Sequence, residues 1–309
     1  MRSNFQIGII GKGSQFKRVS KILNRLNLKY YLYKPNNKKY YDKHQFIKLK
    51  KCKYIFILSP NNSHFYYVKT LHKNRYIFCE KPPINTKKDF AKIKKINHKK
   101  IFFNFNFRFS KLAEILAQQD RYNLGKLLYG NIISGHGLAF KKEYINSWRS
   151  NKKLCKKGVF EISSVHWIDL FNYFFDLKKL EKLRLNNLLK KGDSFDNSYC
   201  KITLGNNSEV DIFSSYSSPL IKKIILVFTN GVIEQNEEGI EIRGPSKNFN
   251  KKGFFIKPKI IRKIRVNEVK DYEDSIEKSV RFFLKIANLK KNFSKKGFIC
   301  SLKSNELIL

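Results

Sequence analysis

Three short stretches carry residues whose types and spacing could do chemistry. Gly11-Lys12-Gly13 stands between the apolar run Gln6–Ile10 and an amphipathic stretch. There Gly11 permits a tight turn, and Gly13 lets backbone N–H groups approach a dinucleotide pyrophosphate at a helix N-terminus. The third glycine of G-x-G-x-x-G is replaced by Phe16; that glycine serves helix–strand packing, so its loss shifts the helix more than it alters phosphate contacts. In the second stretch, Lys81 follows the apolar run Tyr76–Cys79 within Glu80-Lys81-Pro82-Pro83. A cation at the C-terminal end of a parallel strand lies where α/β sheets bind ligands, although a surface lysine is the competing reading in so basic a chain. In the third, His166 falls in the first turn of an apolar helix behind Ser163 and Ser164, either of which suits the N-cap. A helix N-terminus disfavours imidazolium, leaving a neutral ring able to take a proton near pH 7; a satisfied core histidine is the alternative. Asp169, one turn later, orients and caps.

The elements that must position these groups follow from hydrophobic spacing. Gln6–Ile10, Lys29–Tyr33, Tyr54–Leu58, Tyr76–Cys79 and Ile101–Phe105 read as strands, the second closed by Pro35-Asn36-Asn37. Between them Phe16–Leu26, with Val19, Ile22, Leu23 and Leu26 on its inner face, Ser63–Lys73 and Lys87–Asn97 read as helices. Alternating strands and helices predict a parallel α/β sheet. From Leu112 the texture changes. A helix over Leu112–Gln119 and strand pattern over Leu127–His136 precede an apolar helix, Ser164–Phe175, and strand-like alternation through residues 180–265. That order predicts a mainly antiparallel sheet, closed by a long amphipathic helix over Asp271–Leu289. The boundary is placed near residue 108, giving domains of 1–108 and 109–309.

The 309 residues include 64 Lys+Arg and 24 Asp+Glu, a formal net charge of +40, with 42% hydrophobic and 15% aromatic residues. That apolar content excludes a disordered polybasic tail. The lysines run along the whole length beside many Asn, Ile, Phe and Tyr, as a compositional bias would place them, and no basic stripe interleaved with aromatics stands out. Nucleic-acid binding is therefore not expected, while the field favours anionic substrates. No run reaches the ~18–20 apolar residues of a membrane span, and a strand begins too early to leave room for a signal peptide. Five scattered cysteines without a CxxC pair argue against disulfides and zinc and for a reducing cytoplasm. His44, His64, His72 and His98 show no metal-ligand spacing; His64 heads a helix and reads as a cap.

Five blocks in order resemble the glucose–fructose oxidoreductase / inositol dehydrogenase family of NAD(P)-dependent sugar oxidoreductases. They are Ser59-Pro60-Asn61-Asn62-Ser63-His64 leading to Glu80-Lys81-Pro82-Pro83; Phe105-Asn106-Phe107-Arg108-Phe109; Ser147-Trp148-Arg149; Gly158-Val159-Phe160-Glu161 with Val165-His166-Trp167-Ile168-Asp169; and the closing stretches Asp274–Asn292 and Ser301–Ser304. The resemblance implies an N-terminal Rossmann dinucleotide-binding domain. An α+β domain would follow, with a large, mainly antiparallel open sheet through which a homo-oligomer, dimer or tetramer, assembles. It implies cofactor contacts at Gly11, Gly13, Ser14, Gln15, Lys34, Ser59, Pro60, Asn61, His64, Glu80 and Lys81. Lys34, about 20 residues past Gly13 where an acid usually meets the ribose, favours NADP over NAD.

Lys81 would stabilise the alkoxide that forms as hydride leaves a sugar carbon, and His166 would remove the hydroxyl proton. Arg108, Tyr144, Trp148, Arg149, Glu161, Ser163 and Asp169 would contact a sugar or nucleotide-sugar substrate, such as one of surface-polysaccharide synthesis, with Arg108 and Arg149 gripping an anionic group. One departure stands out: family members often carry an acid four positions before the histidine, and here that residue is Ile162. Either the adjacent Glu161 takes over after a shift, or His166 works without a carboxylate, or oxidation is impaired. The last outcome would leave a non-catalytic dinucleotide-binding sensor or partner subunit.

Overall fold

Ile7–Ile10 forms β1 with all four residues buried, as a strand covered on both faces of a parallel sheet requires. The structure is a computed structural model describing residues 6–34, 43–244 and 248–309. After β1 come α1 (Ser14–Arg25), β2 (Tyr30–Tyr33), α2 (Lys43–Lys50), β3 (Tyr54–Ile57), α3 (His64–Leu71), β4 (Tyr76–Glu80), α4 (Lys87–Ile93) and β5 (Ile101–Asn104). The five strands are parallel in the order β2-β1-β3-β4-β5. The order reverses at β1, so the ligand crevice of such a sheet lies at the C-terminal ends of β1 and β3. In α1 the inward residues are Val19, Ile22 and Leu23, as the spacing predicts. Helix α2 is absent from the sequence reading, because only Phe46 and Leu49 supply its buried apolar contacts. The expected Pro35-Asn36-Asn37 turn lies outside the described residues.

The second half contains α5 (Lys111–Leu116), β6 (Leu127–Gly135), α6 (Val165–Phe175), β7 (Leu177–Asn186), β8 (Asn197–Leu204), β9 (Glu209–Ser215), β10 (Ile221–Phe228), β11 (Gly231–Asn236), β12 (Gly239–Arg243) and β13 (Ile260–Ile264), before α7 (Glu268–Asn288) and α8 (Lys295–Glu306). Its eight strands follow the order β13-β12-β11-β10-β6-β9-β8-β7. All pairs are antiparallel except β6 with β9. This is the α/β half followed by the mainly antiparallel open sheet that the sequence predicts. Residues Val165–Asn172 of α6 are all buried, which marks it as the central helix of this half. No helix among the described residues is long and apolar enough to cross a membrane.

The chain divides into two compact units, one of residues to Phe109 together with Glu273–Leu307, the other Ser110–Tyr272. The division falls at Phe109 and groups Glu273–Leu307 with the first unit, whereas the sequence predicts those helices in 109–309. Their phenylalanines explain it. Phe283 lies 5.1 Å from Phe56 and 5.5 Å from Phe78, and Phe102 lies 5.6 Å from Phe282 and 5.5 Å from Phe293 between ring centroids. Such aromatic pairs add to the burial of their large area. In α8, fully buried Asn305 accepts from the Ile84 N–H at 2.9 Å and donates to the Ile84 carbonyl at 3.0 Å. Asn305→Leu strands both backbone groups and should cost about 2–5 kcal/mol, read as a lower urea midpoint; a loss below about 1 kcal/mol would mean Ile84 finds other partners.

Candidate active site

In the first unit the site begins where two turns touch. Gly11 has φ +102°, donates its N–H to the Tyr33 carbonyl at 3.1 Å, and leaves a space in which a Cβ would stand 2.7 Å from the Leu58 carbonyl oxygen. Only glycine fits there. Gly13 precedes α1 with no side-chain cap, no acid in the first turn and nothing within 4 Å of an added Cβ. The first N–H groups of α1 thus face open ground suited to an anion. Ser14 is exposed beside it, and the Gln15 Oε1 is buried with no hydrogen-bond partner. Phe16 does not plug the turn: its ring packs edge-on against Tyr30 of β2 at 6.1 Å. An open Gly13, a Cβ-free Gly11 and an unfilled acceptor on Gln15 fit the phosphates and donor groups of a dinucleotide. Lys34 is exposed at the end of β2.

The ends of β3 and β4 are tied together by His64. Its fully buried ring places Nδ1 2.8 Å from the Pro82 carbonyl and Nε2 2.8 Å from the Ser59 carbonyl. The imidazole, expected as a helix cap or cofactor contact, is a strap between two loops. Burial holds its pKa below the ordinary value, helped by the Lys81 charge and opposed by the two carbonyls. Ser59 is also internally engaged, with its hydroxyl 2.6 Å from Ser63 Oγ, which donates to the Pro60 carbonyl at 2.8 Å. Pro60 is exposed and Asn61 half-buried. Glu80 is likewise bonded within the fold. Its buried carboxylate accepts from Asn104 Nδ2 at 2.7 Å across β4 and β5, and burial raises its pKa against that bond and the charges of Lys81 and Arg18. Lys81, next in the chain, is half-buried and joined to Pro82 by a cis peptide bond. Arg108 does not present a free fork to a substrate. Its Nη1 donates to the Gly297 carbonyl at 3.1 Å and Nη2 to Ser301 Oγ at 2.9 Å, fastening α8.

The second unit holds the other candidates. Gly158 (φ +55°) is obligatory, since a Cβ would stand 1.9 Å from the Phe195 carbonyl oxygen. It leads into a π-helical turn, Phe160–Ser164, in which the Val165 N–H bonds the Phe160 carbonyl five residues back, and which runs directly into α6. The N-cap reading of Ser163 and Ser164 is therefore corrected. Ser164 Oγ pairs with Ser198 Oγ at 2.9 Å, and buried His166 lies beyond a full preceding turn rather than at the helix start. Asp169 is completely buried one turn further on. Glu161 Oε2 accepts from the Lys157 N–H at 3.3 Å, whereas Ile162 packs against the apolar cluster of Ala139, Tyr144, Val159 and Tyr216.

Tyr144 is 3% exposed, its hydroxyl has no partner, and burial pushes its pKa up to about 12. It remains a neutral donor. The Arg149 guanidinium stacks over Trp148 at 4.5 Å, and Ser163 is half-buried. The π turn was invisible in the sequence, because the apolar pattern continues through it; only Gly158 marks its approach. Among the described residues no group of His, Cys, Asp or Glu could hold a metal ion.

No protein-family model matches the chain, and no curated protein matches it. Solved structures do. Levoglucosan dehydrogenase in complex with NADH and levoglucosan shares 17% identity at a TM-score of 0.74, covering 97% of this chain and 94% of that one. An NAD-binding oxidoreductase from Klebsiella pneumoniae shares 13% at 0.75, covering 98% and 94%. GenD2 from gentamicin A biosynthesis, in complex with NAD, shares 10% at 0.71, covering 98% and 91%. The chain thus has the two-domain fold of NAD-binding oxidoreductases, as the resemblance implies.

The His64 strap has a pH signature. Because its folded pKa lies below the ordinary 6.5, the unfolded chain takes up the proton first as pH falls. Stability present at neutral pH is then lost as pH drops through that value. Urea midpoints between pH 7.5 and 5 (roughly one unit on either side of an ordinary histidine) should fall more steeply for the wild type than for His64→Gln; parallel profiles would show that His64 is not held neutral.

Proposed function

We propose that the chain is an NAD-dependent oxidoreductase transferring hydride between a hydroxyl-bearing carbon of a sugar or nucleotide sugar and nicotinamide. The observation that carries this reading is the open phosphate cradle at Gly11, Gly13 and Gln15. The neighbours named above hold NAD or NADH, which supports NAD; the preference for NADP drawn from Lys34 finds no support among them. Bound nicotinamide supplies the hydride acceptor or donor.

The chain's own residues supply the rest. The Lys81 ammonium stabilises the developing alkoxide, and His166 takes or returns the hydroxyl proton. The π turn supports Glu161 as its carboxylate partner. With bonds running to the fifth residue back, the position one turn before His166 is Glu161 and not Ile162. A carboxylate there favours imidazolium and strengthens the base. Trp148, Ser163 and the unfilled Tyr144 hydroxyl suit sugar hydroxyls, and Arg149 alone now serves an anionic substituent, the feature behind a nucleotide sugar of surface-polysaccharide synthesis. Five buried free cysteines support a reducing cytoplasm. The outer face of the second unit's sheet, with half-buried Tyr199 and Phe213 and exposed Tyr129 and Ile225, supports assembly into a homo-oligomer.

A panel of sugars and nucleotide sugars with NAD+ or NADP+ tests the assignment. Lys81→Ala should lower kcat on the active substrate by about 10²–10³. Dinucleotide binding with no turnover on any member would favour the non-catalytic sensor or partner subunit instead. Glu161→Gln should lower kcat for sugar oxidation by roughly 10-fold or more, because His166 loses its carboxylate partner; an unchanged kcat would leave His166 without that partner.

A further inference from the structure

The even spread of lysines along the sequence conceals one segregated surface, in the second unit between β12 and the end of β13. A hairpin closes at Asn250–Gly253, where Gly253 has φ +81° and donates to the Asn250 carbonyl at 3.0 Å, and Asn250 donates to the Phe254 carbonyl at 2.9 Å. Phe249 and Phe255 pair across it at 5.0 Å between ring centroids. This hairpin holds its aromatic rings in water: Phe254 is 65% and Phe255 86% exposed. The edge strand β13 continues the apolar surface with exposed Ile260 and Ile261.

Charge is equally one-sided. From Asn248 to Arg265 the sequence has seven Lys or Arg and no Asp or Glu. Lys251, Lys252, Lys257 and Lys259 are exposed and take part in no ion pair among the described residues, unlike Lys263, which meets Glu238 and Glu241 at 3.2 and 3.0 Å.

Displaying phenylalanines within a block of unpaired like charge costs the isolated protein both hydrophobic and Coulomb energy. A contiguous apolar patch rimmed by such charge marks an interaction surface. Its partner must be anionic and must offer apolar depth. A second copy meeting its own segment brings the same seven cations and no acid, and a nucleic acid would stack on the rings but leave the isoleucines uncovered. An anionic bilayer meets both demands. We propose that the 248–265 hairpin and edge strand dock the protein on an anionic lipid surface, with Phe254 and Phe255 entering the headgroup layer and the lysines meeting lipid phosphates. Such docking departs from the expectation that the chain has no membrane partner, and it stands whether or not the oxidoreductase reading does.

The test is co-sedimentation of the full chain with vesicles of phosphatidylcholine alone or mixed with phosphatidylglycerol. Binding is expected only to the mixed vesicles. Lys251→Gln with Lys252→Gln should weaken it roughly 25-fold, about fivefold per cation. Phe254→Ser with Phe255→Ser should weaken it by at least about tenfold, with wild-type melting in both variants because all four side chains are exposed. Absence of binding, equal binding to neutral vesicles, or full binding by the serine variant overturns the proposal. So does tighter binding to single-stranded nucleic acid than to the mixed vesicles, or dissociation of an oligomer by the serine variant on sedimentation.

Discussion

The Leu58 carbonyl occupies the space in which any other residue at position 11 would carry its Cβ. That contact brings the turn after β1 against the end of β3, and the rest of the first unit's candidate site is built around it. With the two turns touching backbone to backbone, nothing lies within 4 Å of a Cβ added at Gly13, and α1 begins with no side-chain cap. His64 then fixes the neighbouring gap by reaching from the Ser59 carbonyl to the Pro82 carbonyl. The loop carrying Lys81 is therefore held by a buried ring and by Glu80 bonded to Asn104.

A different device serves the second unit. Gly158 passes so close to Phe195 that the chain can enter the following helix in one way only, and the π turn then inserts one residue more than an α-helical turn holds. That insertion reconciles two demands on neighbouring positions. Ile162 can join the cluster around Tyr144 and Tyr216, while the acid sits one place earlier.

Much of the architecture was legible because burial on both faces of a parallel sheet leaves near-continuous apolar runs, and because Gly11, Gly13 and the Glu-Lys-Pro turn punctuate them. What escaped the sequence has local causes. Helix α2 rests on two apolar side chains, too few for a periodicity. The π turn keeps the hydrophobic pattern of the helix it joins. Arg108, Glu80 and His64 have the residue types of ligand contacts, but their polar atoms are consumed within the fold, and one-dimensional spacing cannot distinguish a group facing a ligand from a group satisfying a carbonyl. The closing helices followed the second domain in sequence yet joined the first unit through Phe282, Phe283 and Phe293, whose partners in β3, β4 and β5 lie about 180 to 230 positions earlier.

Several of the 24 acids work inside the fold rather than beside lysines. Asp196 accepts from the N–H groups of Leu188 and Leu189 at 2.9 and 2.8 Å, and Asp271 from that of Lys111 at 2.8 Å. Asp211 accepts from the hydroxyls of Tyr129 and Tyr199, and Glu80 and Asp169 are buried. An anion bonded to an internal donor forms no ion pair with a surface cation, though the net charge of +40 is unchanged. The field of that charge acts on any anion within about a Debye length, ~8 Å at physiological salt, whether or not that anion has a dedicated site. Charge density therefore cannot identify a binding surface in this chain. The 248–265 segment differs from the rest of the molecule because its cations surround apolar side chains that the fold leaves in water.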